Sequence, residues 1–334
     1  MMRQRVLFLD LVRIIAAAMV VMIHVSGWFA RIPPDMENVS SWDTVAWGAL
    51  SACAVPLFFM ISGALMLNSD YAFDIRKILL KIGKIIVILL AWGVFYALAD
   101  MKTFSFEKLL IWTYKGHFHF WFFEYLIGVY LLFPLLCALI EYREGKYVRY
   151  FLLCWLLLGL VRTTLDGIQW HNEEIRILTG KVNYELCGFS GYFVLGYYLR
   201  HHFEKIRTWM WMLLLGFSVT LQYLILTYYP LQVSTYSFTV PILLEATSVF
   251  MIVKGVSSAW LSKQSLWLVE MSGITLGIYL IHPFVLEHLT PECIWTLPLF
   301  CRVPLVFCCV FALSAVFSYL LAKIPFCKKW LLSV

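Results

Sequence analysis

The chain has 334 residues, 62% of them hydrophobic, 17% aromatic and only 14% charged, with a mean hydropathy of +0.82. A soluble domain is nearer half apolar and a quarter charged, so soluble enzymes, disordered chains, nucleic-acid binders and disulfide-stapled secreted modules are excluded. The net charge of +6 then marks the loops on one side of a membrane rather than a nucleic-acid partner. The nine cysteines show no metal-ligand or framework spacing and read as small core residues.

Apolar runs at 6–27, 45–67, 78–99, 119–140, 148–165, 184–199, 209–228, 236–253, 271–288 and 299–322 predict an all-α polytopic membrane protein of about ten spans. No repeat or internal boundary interrupts them. Residues 1–334 therefore read as a single transmembrane domain without an appended extracytoplasmic domain. The first run is too long for a signal peptide, carries Asp10, Arg13 and His24, and has no clear cleavage site. With the N-terminus cytoplasmic, the inner connections hold roughly twice as many Lys and Arg as the outer ones, which places both termini inside. Trp28, Trp42, Trp209 and Trp260 fall at expected helix ends, where an amphipathic ring prefers to sit.

An ionisable side chain inside a span is expensive and marks function by default. In the first helix Arg13 and His24 are eleven residues apart. That is three turns plus about 20°, so both lie on one face, separated by about 16 Å of axial rise. Asp10 shares the stripe and reaches Arg13 at i,i+3. Two readings stand: a structural ion pair with a satisfied core histidine, or a two-depth functional face.

Further polar groups recur near the same two depths. The third helix opens with Arg76, Lys77, Lys81 and Lys84, a basic ridge that suits anionic headgroups or the phosphates of a bound polyanion. The second helix ends in Ser62-Gly63, which allows close approach by a ligand or by another helix. On the outer side the fourth helix opens with His117-Phe-His119-Phe-Trp121-Phe-Phe-Glu124, and the ninth carries Tyr279 and His282 before Pro283. Pro283 removes a backbone hydrogen bond and invites a kink. Glu185 and Glu245 are buried acids without an assigned role.

Leu9-Asp10-x-x-Arg13 with His24 beyond it, Val55-Pro56-Leu-Phe-Phe-Met-Ile-Ser62-Gly63, His119-Phe-Trp121-Phe-Phe and Gly277-Ile-Tyr279-Leu-Ile-His282 together resemble the acyltransferase-3 family of membrane acyltransferases. The short form is most similar to the O-acetyltransferases of bacterial surface polysaccharides, the enterobacterial common antigen type in particular. That resemblance implies a multi-pass protein of the bacterial inner membrane. Such a protein moves an acetyl group from cytoplasmic acetyl-CoA to a hydroxyl of a cell-envelope glycan or lipid-linked sugar at the outer face. It implies acetyl-CoA as acyl-donor substrate, membrane lipid and the glycan as partners, and neither a metal nor nucleic acid.

On that reading Arg13, Asp10, Ser62, Arg76, Lys77 and Lys81 form the acetyl-CoA site. His24 is the base or transient acyl carrier, with His119 and Glu124 beside it, and Trp121, Tyr279 and His282 shape the sugar site. The family often shows an Arg-x-x-Arg pair at the third helix, where this chain has Arg76 or Lys77 with Lys81. Some relatives complete transfer with an appended domain; here transfer is expected within the membrane part or with a separate protein. The rival class is a carrier or flippase for a lipid-linked sugar, which would show internal repeats and broken helices in matching positions.

Overall fold

A computed structural model gives the structure of the chain and describes residues 5–30, 42–67, 74–141, 145–167, 188–203, 207–228, 237–290, 294 and 299–332. In chain order the helices are α1 (Leu7–Ala30), α2 (Trp42–Ser51), α3 (Ala54–Met66), α4 (Ile75–Asp100), α5 (Phe106–Lys115) and α6 (Trp121–Glu141). There follow α7 (Lys146–Cys154), α8 (Arg162–Gly167), α9 (Ser190–His202), α10 (Thr208–Tyr228) and α11 (Val240–Lys254). The last four are α12 (Ser258–Lys263), α13 (Ser265–His288), α14 (Leu299–Ala322) and α15 (Pro325–Trp330). A 3₁₀ turn, Phe118–Phe120, precedes α6, and a π-helical stretch, Trp155–Val161, joins α7 to α8.

Among the described residues eight helical segments are long and apolar enough to cross a membrane. The chain is an all-α polytopic membrane protein. The other two apolar runs, 184–199 and 236–253, correspond to α9 and α11, of 13 and 15 residues. At 1.5 Å per residue these helices are about 20–23 Å long, less than the roughly 30 Å hydrocarbon core. They are instead buried within the bundle, with Tyr192, Phe193, Ile242 and Phe250 fully enclosed.

The α2–α3 span breaks at Ala52-Cys53 because Pro56 has no N–H to continue the helical ladder. It is the most enclosed span, 72% buried over its apolar window, followed by α13 at 67% and α1 at 50%. By contrast α4, α14 and α10 are 28%, 22% and 17% buried. Helices α1, α2–α3 and α13 thus form the centre, and α4, α10 and α14 turn Leu80, Leu320 and Leu213 outwards. Cys301, Cys308 and Cys309 also lie on the outward side of α14, which corrects their reading as core; Cys53 and Cys137 are buried.

Backbone contact accounts for Gly63. A Cβ on Gly63 would stand 1.7 Å from the carbonyl oxygen of Phe193, and one on Gly196 would stand 2.0 Å from that of Met60. Helices α3 and α9 therefore touch main chain to main chain, as small residues permit in membranes. The C-terminal end of α9 is closed by Lys254 of α11, whose ammonium donates to the carbonyls of Leu199 and Arg200, both at 2.8 Å, and of Phe203. A cation there answers the unpaired carbonyls and the negative end of the helix dipole.

One element lay outside the expected spans. After five residues α5 folds back along the outer part of α4, reaching the level of Gly93, where a Cβ would come 2.8 Å from the Thr113 carbonyl oxygen. Ser105 caps α5, its hydroxyl accepting from the Lys108 amide at 3.4 Å. Gly116, at φ +64°, ends the helix and turns the chain into His117–Phe120.

Gly196→Val is expected to separate α3 from α9 and to abolish the folded, monodisperse protein in detergent. Its cost should exceed the roughly 1–3 kcal/mol of ordinary overpacking, because the obstruction is backbone. Gly27→Ala, whose Cβ meets nothing within 4 Å, should behave as wild type in the same size-exclusion measurement.

Candidate functional site

Two polar clusters tie α1 to α13. The first gathers on Asp10, which sits in the first turn of α1, where a negative charge opposes the helix dipole favourably. Arg5 grips its carboxylate through two nitrogens, at 2.7 and 3.0 Å; that hydrogen bonding raises the Arg5 pKa above its ordinary value. Arg13 approaches the same carboxylate at 3.3 Å and donates to the Ser272 hydroxyl at 2.8 Å. Ser272 in turn donates to Asp10 at 2.7 Å. The loop closes with Asp10 almost fully buried and its oxygens occupied by three donors.

Arg13 lies close to Tyr130 of α6, and Lys81 of α4 stands 5.5 Å above the same ring. The two cations thus converge across a tyrosine face, the Lys81 ammonium also resting 3.4 Å from the Met66 sulfur. Lys77 is a turn further out on α4, paired with Asp74 at 3.6 Å, and Arg76 is exposed beside it. The Ser62 hydroxyl donates to the Phe58 carbonyl at 2.9 Å, a bond inside its own helix.

The second cluster is built from histidines. His24 Nδ1 lies 3.0 Å from the Val20 carbonyl, and His282 Nδ1 lies 3.1 Å from the Ile278 carbonyl. A carbonyl only accepts, so each Nδ1 carries a hydrogen. His282 Nε2 is then a lone pair, and it lies 3.0 Å from His24 Nδ1. One hydrogen is shared between the Val20 carbonyl and His282. This tautomer leaves the lone pair of His24 on Nε2. No group of three or more His, Cys, Asp or Glu among the described residues is arranged to hold a metal.

The fold-back of α5 brings two more rings to the cluster. His119 is fully buried, its ring centre 5.8 Å from that of His282, while the His24 and His282 centres are 4.9 Å apart. The Tyr279 hydroxyl donates to the His119 carbonyl, which pins the 3₁₀ turn against α13. Tyr96 of α4 donates to the Leu280 carbonyl at 2.8 Å and stacks on His117 at 4.0 Å. Around Pro283 the carbonyls of Ile278 and Leu280 thus accept side-chain bonds.

The structure brings Asp10, Arg13 and Lys81 together, and separately His24, His119, Tyr279 and His282. Glu124 is exposed on α6, and Trp121 packs on Tyr125 and Phe189, at 5.7 and 5.9 Å, not on the histidines. Glu245 is fully buried near Cys53 and Tyr192; Glu185 lies outside the described residues. Arg5, Ser272, Tyr96 and Glu287, the last 3.5 Å from His117, join the clusters without having been singled out. His117 had a sequence signal in its alternation with His119, whereas Ser272 and Glu287 are unremarkable until α13 is set beside α1.

Asp10→Ala should lower stability by about 3 kcal/mol, because it leaves Arg13 without its buried partner. Ser272→Ala should cost about 1 kcal/mol, the worth of one hydrogen-bonded group. Thermal denaturation of the purified variants in one detergent checks that order, and equal midpoints would refute it.

No curated protein and no solved structure matches the chain. A family model described as an acyltransferase domain matches residues 6–323, from just before α1 to the end of α14, and so takes in both clusters. The chain belongs to the acyltransferase-3 family, and it is a membrane acyltransferase.

Proposed function

We propose that this acyltransferase moves an acetyl group from acetyl-CoA, bound at the Asp10–Arg13 end, to a hydroxyl of a cell-envelope glycan or lipid-linked sugar at the histidine end. The observation that carries this reading is the position of His24 Nδ1, 3.0 Å from both the Val20 carbonyl and His282 Nε2. Its Nδ1 hydrogen is committed to Val20 and His282, so its Nε2 offers the lone pair that acyl transfer needs. Arg13, on the same face of α1 and about 16 Å away by helical rise, suits the phosphates of the donor.

Arg13 and Lys81 flank Tyr130 and supply the positive charge for those phosphates, with Arg76 and Lys77 further out. Asp10 orients Arg13. The pantetheine arm is roughly as long as the interval between the clusters, so it presents the thioester beside His24. His24 Nε2 takes the proton of the acceptor hydroxyl while its oxygen attacks the carbonyl carbon, or it attacks first and carries the acetyl group onward. In either route the C–S bond breaks and the sulfur regains one proton. On this reading the membrane is a bacterial inner membrane, and the excess of Lys and Arg in the connections at the other end puts the histidine end on its outer side.

Sealed vesicles holding wild type, Arg13→Ala or His24→Ala at matched levels, supplied with acetyl-labelled acetyl-CoA and native glycan, test the reading. Arg13→Ala should weaken acetyl-CoA binding about 10–100-fold, the range of a charge-assisted contact. His24→Ala should bind within about 3-fold of wild type and lose about 10²–10⁴-fold in transfer. Wild type that neither binds acetyl-CoA nor transfers label would reject the donor and favour a carrier of lipid-linked sugars.

A further inference from the structure

Beyond His24 and His282, a second line of side chains runs from the outer end of α13 into the histidine cluster. Glu287 is exposed on α13, its Oε2 3.5 Å from His117 Nε2. His117 Nδ1 lies 2.8 Å from His119 Nδ1. His119 Nε2 is buried and makes no hydrogen bond of good geometry among the described residues; the Leu280 carbonyl, already accepting from Tyr96, lies near the His119 ring. A buried polar nitrogen in that condition calls for a missing partner.

The hydrogens in this line can be assigned in order. A carboxylate accepts, so Glu287 favours a hydrogen on His117 Nε2. A neutral His117 then has its lone pair on Nδ1, and the short contact requires the hydrogen on His119 Nδ1. His119 Nε2 is left with a lone pair, in a desolvated space beside His282 and His24. The titratable groups facing His119 are His24, His117, His282, Tyr96 and Tyr279; those facing His117 are Glu287, His119 and Tyr96. Among these groups only Glu287 is a carboxylate, and it stands at the exposed end.

We propose that His119 Nε2 is a second base of the site, and that His117 and Glu287 are positioning residues that hold it in the required tautomer. This rests on the acyl-transfer reading and deepens it by dividing the labour between two imidazoles. His24 Nε2 attacks the acyl carbon and holds the acyl group as an acyl-imidazolium while the donor sulfur leaves with the electron pair as a thiolate. The acceptor hydroxyl then gives its proton to His119 Nε2. Its oxygen forms the ester bond as the bond from the acyl carbon to His24 breaks, with the electron pair returning to the imidazole. The proton taken by His119 then passes to the thiolate, which leaves as the thiol, so His119 regains its lone pair and charge and atoms balance. Tyr96, stacked on His117, and Tyr279, bonded to the His119 carbonyl, fix the arm against α4 and α13.

The test combines a direct reading of the tautomer with kinetics, on the full chain in nanodiscs. Histidine ¹⁵N NMR, with the His119 signals assigned by their loss in His119→Gln, should find the hydrogen on Nδ1 in wild type. With acetyl-CoA and the native glycan fraction, His117→Phe keeps a ring for the stack on Tyr96 but cannot accept from His119. It should lower kcat at least about 10-fold, within the range of a lost base, and leave the KM for acetyl-CoA within about 2-fold. His117→Asn, whose Oδ1 can accept in place of Nδ1, should recover most of kcat. Glu287→Ala, at an exposed position, should fold normally and lower kcat less than His117→Phe. A His119 hydrogen on Nε2 in wild type, or full kcat in both His117→Phe and Glu287→Ala, overturns the arm while acyl transfer stands. The expected tautomer in a wild type that transfers no acetyl group overturns the acyl-transfer chemistry, and the base role with it.

Discussion

A bilayer supplies no water to polar groups, so those inside must find partners within the protein. Here that constraint is met chiefly between two parallel helices. Near one end of α1 and α13, Asp10 collects Arg5, Arg13 and Ser272; near the other, His24 and His282 share a hydrogen. Each tie satisfies groups that would be costly alone. Together they fix the depth of α13 against α1, and so the distance between the cationic and the imidazole levels. On the proposed reading, a donor held by its phosphates at one level with its thioester at the other needs that interval to be constant.

The surrounding elements keep these two helices in place. Helix α3 packs on α1 from one side and is itself locked to α9 through Gly63 and Gly196. Helix α5, too short to span, turns back along α4 and carries His117 and His119 to the cluster. The polar side chains of the site therefore come from segments far apart in sequence, and their neighbours are aromatic: Phe118 stands 5.3 Å from His24, and Tyr279 stands 5.4 Å from His119. Such walls exclude water and strengthen the hydrogen bonds they enclose.

Much of this could be read from residue spacing, because a helix converts sequence separation directly into depth and face. Asp10, Arg13 and His24 were legible as a stripe for that reason, and the polytopic all-α class followed from hydropathy alone. Contacts between helices have no such local signal. Nothing near residue 272 announces that its hydroxyl will close the Asp10 loop, and His282 could not be paired with His24 before α13 was seen beside α1. Glu124 was drawn in by its nearness in sequence to His119, yet the turn between the 3₁₀ segment and α6 leaves it outward. Gly63 carried two meanings at the level of sequence, and the position of the Phe193 backbone shows that it serves helix contact. The fold-back of α5 was hidden because its polar and aromatic residues lack the length of a span.

On the proposed reading, the main-chain contact between α3 and α9 also limits the routes by which a lipid-linked sugar would enter the site. Where two backbones touch, no acyl or polyprenyl tail can slip between them, so that seam is a closed wall over the length of the glycine contact. A lateral entrance must open between helices separated by side chains that can rotate aside.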